Sequence, residues 1–249
     1  MLTIALDFPP SAYEFTLKPK MTNDPWTAKS HRRHHLAAAY AWACEQLYHN
    51  LAWAYDVTSW GVSGGAWGAW RRLALEAGSG RMLEIGFGTG ELIASALQQR
   101  RSIVGLERSS QMQAIALGKL RRKCIPVPLV QGSALALPFA AAAFDTVIAT
   151  FPAGYIIEPA TLAECARVLV AGGRLVIAGV WIVPTVGGRP VNLPLLYRAP
   201  GTSEAARFLA TIERAGFAAR IDWRHSRGAE VAVITAERLP AHGAGPSAR

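Results

Sequence analysis

The sequence predicts an α/β protein: a seven-stranded, mostly parallel sheet flanked by helices, with an antiparallel strand at its C-terminal end. Three observations carry this reading. Short apolar runs at Met82–Ile85, Ile103–Leu106, Val127–Val130, Thr146–Ala149 and Leu175–Ala178 alternate with longer helical stretches at Glu91–Gln99, Ser110–Arg122 and Pro159–Val170. Such alternation signals βαβ units and a parallel sheet. The runs are almost continuously apolar, as befits strands covered on both faces. Finally, Phe217–Trp223 and Glu230–Ala236 are joined only by a short turn containing Arg227-Gly228. A connection that short holds no crossover helix, so this pair must be antiparallel.

The remaining elements follow in order. Residues 1–35 contain Pro, Lys and Asn without a sustained period and read as a partly disordered arm. Asp7 and Pro9-Pro10 stand where a signal peptide needs an apolar core. His31 and His35 have the i, i+4 spacing of metal ligands but no acidic partner nearby, and a metal is not expected. Residues 36–78 read as a helical cap: Ala, Leu and aromatics over 36–55, a break from Gly61 to Gly68, then a resumed helix at Trp67–Ala77. The core spans 79–239 and ends with a helix at Ser203–Ala215, stopped by Gly216, and the strand pair. Residues 240–249 read as a disordered tail of small residues.

Composition excludes several classes. Of 249 residues, 51% are hydrophobic and only 17% charged, which a disordered chain would not show. Cys44, Cys124 and Cys165 are odd in number and far apart, arguing against a disulfide scaffold or zinc site and for a reducing, cytoplasmic setting. No apolar run is long enough for a membrane-spanning helix. The net charge of +9 resides in scattered groups such as Arg71-Arg72, Arg100-Arg101 and Arg121-Arg122-Lys123 near helix ends, read as solvated termini that complement helix dipoles. No basic stripe interleaved with aromatics is present, so nucleic acid is not an expected partner; peripheral contact with an anionic membrane stays open.

The motif that carries chemistry is Arg81-Met82-Leu83-Glu84-Ile85-Gly86-Phe87-Gly88-Thr89-Gly90-Glu91: an apolar strand, a glycine loop and a helix start. Glycines let the backbone approach a ligand where a Cβ would collide, and the helix start aims free N–H groups at it. Glu107 ends the next strand, where a carboxylate can accept hydrogen bonds from both hydroxyls of a ribose. An adenosine-containing ligand follows. A dinucleotide fingerprint needs a small third residue where this chain has Glu91, and an acid there would repel a pyrophosphate. A phosphate-free ligand is favoured.

Further along, Gly132-Ser133-Ala134-Leu135-Ala136-Leu137-Pro138-Phe139, four alanines and Phe144-Asp145-Thr146-Val147 resemble the class I S-adenosylmethionine-dependent methyltransferases. The likeness is greatest to the branch with the ubiquinone/menaquinone C-methyltransferases (methyltransferase type 11). Glu164-x-x-Arg167-Val168-Leu169-x-x-Gly172-Gly173-Arg174-Leu175 matches that branch's next helix–turn–strand, and Tyr55-Asp56 resembles a pair preceding its core. The resemblance implies a Rossmann-like three-layer sandwich and S-adenosyl-L-methionine as cofactor. It implies that Gly86, Gly88 and Gly90 line the cofactor, Glu84 faces the methionyl ammonium, and Glu107 holds the ribose diol. Arg108 would flank the adenine, Ser133 and Ala134 its edge, Thr150 and Phe151 the sulfonium, and Tyr55 would close over the whole. Three departures stand out: Ser133 replaces the usual Asp, Ala171 the usual Pro, and the gap before Phe144 is all alanine.

Thr150-Phe151-Pro152-Ala153 stands where an N-P-P-Y-type signature would mark amino-group substrates, and no residue announces a general base. Val180–Pro200, with Trp181, Ile182, Val183, Leu193, Leu195, Leu196 and Tyr197, reads as a long apolar loop at the ligand end of the sheet. The expected activity is methyl transfer to a small, hydrophobic acceptor: a quinone, isoprenoid, lipid-like or aromatic metabolite. The alternatives are a non-catalytic cofactor-binding module on the same fold and a nucleotide-dependent oxidoreductase.

Overall fold

The computed structural model describes residues 64–122, 129–186, 189–190 and 199–240, all within the compact unit Glu45–Arg249. The expected arm, the helix over 36–55, Tyr55, Cys44, Cys124 and residues 241–249 lie outside the described residues. The described chain runs α1 (Trp67–Ala77), β1 (Met82–Ile85), α2 (Glu91–Gln98), β2 (Ile103–Glu107), α3 (Ser110–Arg122), β3 (Leu129–Gln131) and β4 (Phe144–Thr150). A 3₁₀ turn at Gly154–Ile157 leads to α4 (Pro159–Val168), β5 (Leu169–Val186), α5 (Thr202–Arg214), β6 (Phe217–Ser226) and β7 (Ala229–Arg238).

The sheet order is β3-β2-β1-β4-β5-β7-β6. The first five strands are parallel, and β7 runs antiparallel to both β5 and β6. The expected seven strands and their one reversed member are therefore found. A two-residue bridge, Arg189–Pro190, adds to the far end of β5. The chain steps outward from β1 through β2 to β3, then returns to the other side of β1 with β4. That reversal leaves a crevice at the carboxyl ends of β1 and β4, where open α/β sheets bind ligands.

Period-two alternation divides the core into two layers. Met82, Ile148, Val176 and Ala178 face a cluster with α1, α2 and α3, including Trp70, Leu73, Leu92, Ile93, Ala116 and Leu120. Leu83, Ile85, Val147, Ala149, Leu175 and Ile177 face the other way, onto α4 and α5 through Leu162, Cys165, Val168 and Ile212. Cys165 is a free thiol whose burial pushes its pKa up to about 12, so it behaves as a small core residue.

Two sequence expectations change. Val180–Pro200 is not a loop throughout. Strand β5 continues to Val186, and Ile182, Val183 and Pro184 pair with Val231, Glu230 and Ala229 after a register irregularity that follows Ala178. The long strand β7 offers backbone partners to Ile182–Pro184 of the extension. Trp181 is buried against Phe208 of α5, with ring centroids 5.1 Å apart in an edge-on arrangement. The apolar residues of this stretch that are described thus build the sheet; 191–198 lie outside the described residues. The second change concerns Arg101, expected as a solvated terminus. Its guanidinium donates to the carbonyl oxygens of Leu75 and Gly78 and so closes the end of α1, a helix 24 residues upstream of it by its last residue Ala77. Cations at a helix C-terminus satisfy its free carbonyls and its dipole together.

Candidate functional site

The glycine loop follows β1 directly. The Gly86 N–H donates to the Leu106 carbonyl at 2.7 Å, which ties the start of the loop to β2. Gly88 has φ +56°, and among the described residues a Cβ built on it would meet nothing within 4 Å. Gly90 caps α2 with φ +79°. A Cβ there would lie 3.0 Å from that of Ala116, so its bareness lets α2 approach α3. The three glycines therefore divide their tasks, and Gly90 turns its bare side to a helix. Glu91, the residue that broke the dinucleotide pattern, reaches sideways to Lys119 at 2.8 Å. A shallow cleft lined by Gly90, Glu91, Ala94, Lys119, Leu120 and Arg122 lies there, and neither Glu84 nor Glu107 lines it.

Glu107 closes β2 with its side chain 7% exposed as a residue. One carboxylate oxygen accepts from the Gly88 N–H and the other from the Ser109 N–H, each at 2.9 Å. These bonds aim the carboxylate across the glycine loop and leave it lone pairs for two further donors.

Glu84 is the second buried acid, 1% exposed at the crevice end of β1. The Thr150 hydroxyl donates to its Oε1 at 3.5 Å, and Oε2 has no hydrogen-bond partner among the described residues. Burial pushes its pKa up to about 8; the positive charge of Arg71 opposes the shift and the charge of Glu107 reinforces it. A buried carboxyl oxygen without a partner costs free energy until something completes it. A ligand cation would do so.

The end of β4 brings aromatic groups. Phe151, in left-handed conformation at φ +49°, donates its N–H to the Ala178 carbonyl at 2.8 Å. Its ring stacks on Trp67 of α1 with centroids 4.7 Å apart. The Arg71 guanidinium lies 5.5 Å from the Trp67 centroid and 5.8 Å from that of Phe151. Tyr155, on the 3₁₀ turn, donates its hydroxyl to the Ile85 carbonyl at 3.4 Å and abuts Gly86, where a Cβ would come within 2.5 Å of it.

The loop beyond β3 is fastened from α4. Arg167 donates to the carbonyls of Phe139 at 2.7 Å and Leu137 at 2.9 Å, and to Glu164 at 2.7 Å. Glu164 in turn accepts the Leu137 N–H at 2.6 Å. These bonds hold the Glu164 carboxyl below the usual range. This i, i+3 pair is thus a clamp on a loop. Upstream, Ser133 Oγ accepts the Leu135 N–H at 3.2 Å, and the Gly132 N–H donates to the Glu107 carbonyl at 3.0 Å. Ser133 and Ala134 therefore begin the segment beside Glu107, whereas Arg108 is exposed.

Of the residues singled out in the sequence, Glu84, Gly86, Gly88, Glu107, Thr150 and Phe151 gather around one crevice. Trp67, Arg71 and Tyr155 join them unannounced. The i, i+4 spacing of Trp67 and Arg71 places them on one helix face and was their sole signal.

The strand order and the flanking helices define a Rossmann-like domain. A family model described as a methyltransferase domain matches residues 83–177. A demethylmenaquinone methyltransferase of Thermus thermophilus is 37% identical over 139 residues, 53% of this chain and 63% of that protein. A ubiquinone/menaquinone biosynthesis C-methyltransferase of Syntrophotalea carbinolica is 30% identical over 199 residues, 69% of this chain and 84% of that protein. Among solved structures, the cyclase SpnF superimposes with a TM-score of 0.52 at 21% identity, covering 69% of this chain and 81% of that one, a likeness of fold. The match thus spans less than two thirds of the Thermus relative. The chain belongs to the class I S-adenosylmethionine-dependent methyltransferase family, in the branch that holds the ubiquinone/menaquinone C-methyltransferases.

Proposed function

We propose that the protein binds S-adenosyl-L-methionine at the β1 crevice and transfers its methyl group to a small, hydrophobic, quinone-like acceptor. The observation that carries this reading is the pairing of Gly88, where a Cβ would meet nothing within 4 Å among the described residues, with the Glu107 carboxylate aimed across the same loop. The residues fit the cofactor by a further test: the Glu84 oxygen without a partner is an acceptor for an ammonium. When bound, the cofactor supplies a methyl group already activated on a sulfonium.

The chain's part is to hold and align. Glu107 takes the ribose hydroxyls, the Gly86–Gly88 backbone lies alongside the adenosyl unit, and Ser133 and Ala134 border the adenine. Arg108, which is exposed, would flank the adenine, and Gly90 lets α2 approach α3 at the start of its helix. Thr150 and Phe151 sit at the reacting end. Tyr55 is proposed to close the site from the segment before the core. Correct alignment of two reactants is worth an effective molarity on the order of 10⁵ M, so no elaborate acid–base apparatus is needed to account for a large rate gain.

The Trp67–Phe151 stack gives an apolar, planar wall beside this end, which suits an aromatic acceptor. The names of the Thermus and Syntrophotalea relatives point the same way. We read the protein as cytoplasmic, supported by its buried free Cys165; among the described residues no helix is long and apolar enough to cross a membrane.

The test is calorimetric titration with S-adenosylmethionine, then incubation with a prenylated naphthoquinol that lacks its ring methyl. Cofactor binding and release of S-adenosylhomocysteine are expected. Heat with NADH and none with S-adenosylmethionine would overturn the assignment. Cofactor binding without turnover of any acceptor would favour the binding-module alternative.

A further inference from the structure

We propose that β6, the last strand of the sheet, pairs antiparallel with β6 of a second copy of this chain, so that two sheets join edge to edge in a dimer. Among the described residues β6 pairs with β7 alone, and its other edge carries no strand. The turn Arg227-Gly228 fixes which backbone groups face outward. Both residues have positive φ, +50° and +72°, as in a two-residue type I′ hairpin. Such a turn is closed by a hydrogen-bonded pair, here Ser226 with Ala229. Alternate residues counted back from Ser226 therefore bond to β7, while Ala219, Ile221, Trp223 and His225 present N–H and C=O to the open edge. Natural sheets commonly blunt such an edge with proline, a bulge or a very short strand. β6 has ten residues, no proline and an unbroken register with β7 from Phe217 to Ser226.

The side chains select the partner. Phe217, Ala219 and Ile221 face α4 and α5, and the period of two puts Trp223 on the same side, 42% exposed. Arg220, Asp222 and Arg224 lie on the other side, where Arg224 meets Glu76 of α1. Charges on an edge deter foreign strands, but here the signs alternate and the strand is complementary to itself. Outward-facing residues must oppose outward-facing residues, so the two-fold axis passes through a residue. With the axis at Ile221, Arg220 opposes Asp222 of the second copy, Trp223 lies beside the small Ala219 of that copy, and the ladder runs from Phe217 to His225. Within one chain Arg220 already meets Asp222 at 3.2 Å, so the second copy closes an alternating ring of acids and bases. An axis at Asp222 would set Asp222 against itself and Arg220 against Arg224, and like charges directly opposite destabilise a pair. An axis at Trp223 opposes Asp222 to Arg224 but leaves Phe217–Ala219 without partners, so the longer ladder is favoured. The axis at Ile221 stands perpendicular to the sheet and points the two crevices in opposite directions, clear of the seam.

The experiment is sedimentation equilibrium of the full chain over a wide range of concentration, with circular dichroism to show that each variant folds. The unaltered chain should reach twice its monomer mass. Arg220→Asp sets acid against acid across the axis, and Asp222→Arg sets base against base. Each should weaken the dimer about tenfold or more, the scale of two cross-strand pairs turned from attraction to repulsion. The two variants mixed should dimerise with each other, because each supplies the charge that the other lacks. Trp223→Asp, at an exposed position, should also weaken the dimer about tenfold while the fold is retained. An unaltered chain that stays monomeric at every concentration would overturn the proposal. A dimer whose dissociation constant none of these substitutions moves would overturn it too, since the contact then lies on another face. A mixture no more dimeric than its separate components would do the same, because loss of strand stability, rather than lost complementarity, would then explain each variant.

Discussion

The two halves of the sheet treat charge in opposite ways. In the parallel half, two carboxylates, Glu84 and Glu107, are buried at the carboxyl ends of neighbouring strands. In the antiparallel half, the charged and polar pairs of β6 and β7 stay at the surface: Asp222 with Arg220, Glu230 with His225, and Arg224 of β6 with Glu76 of α1. Among the described residues, the buried polar side chain of that half is Thr235. Burying a carboxylate costs several kcal/mol unless a partner completes it. The β6–β7 hairpin extends the sheet beyond β5 and, with no buried carboxylate among its described residues, carries no such cost. The parallel half carries it, and that asymmetry supports the ligand site proposed there.

The comparison can be broken at several points. The largest effect is expected from Gly88→Ala. The added methyl meets no atom of the described residues, so the fold should lose only about 1 kcal/mol from the left-handed backbone. Cofactor affinity should fall about 100-fold or more, read by titration, because the methyl enters the space given to the ligand. Unchanged affinity would place the ligand elsewhere. Gly105→Ala, one strand away, should do the reverse. Its Cβ would collide with Ile93 and lie 2.6 Å from Phe87. Unfolding free energy should drop by about 2 kcal/mol, seen as a lower melting temperature, a larger loss than at Gly88.

Glu84 gives the sharpest pH signature. Its raised pKa means that the folded protein holds a proton the unfolded chain has lost between pH 4.5 and about 8. Stability therefore falls as pH rises through that window, and Glu84→Gln should flatten the fall. Cofactor binding has the opposite trend, since an ammonium favours the ionised carboxyl. Affinity should rise about tenfold per pH unit below 8 and lose that dependence in Glu84→Gln. At the small end, His225→Ala removes an exposed cross-strand pair with Glu230. It should change stability by less than about 0.5 kcal/mol and leave cofactor binding unaltered. A larger effect on binding would show that the antiparallel half shares in the site.

Much of the crevice could be read from order along the chain. Strand, glycine loop and helix are contiguous, and Glu107 ends the strand that must lie beside β1, so Gly88 and Glu107 were legible together. The Thr150-Phe151 pair was legible as the end of the fourth strand for the same reason. Trp67, Arg71 and Tyr155 were not, because they reach the crevice from a helix before β1 and a turn after β4, and no local period reports which helix lies over which strand. Arg167 looked like an ordinary i, i+3 partner of Glu164. Its bonds to Leu137 and Phe139 arise only when α4 docks beside that loop.

The extension of β5 shows the same division. Trp181, Ile182 and Val183 are apolar and β-prone, but whether such residues form a loop or a strand depends on a neighbour to hydrogen-bond, and that neighbour, β7, arrives about 50 residues later in the chain. Local sequence settled the element types, the glycine turn and the acid at the second strand, since propensity and spacing act within a few residues. Tertiary packing decided which face of α1 meets Phe151, that Glu84 keeps an unfilled oxygen, and how far the sheet runs, since burial and partner choice are set by segments distant along the chain.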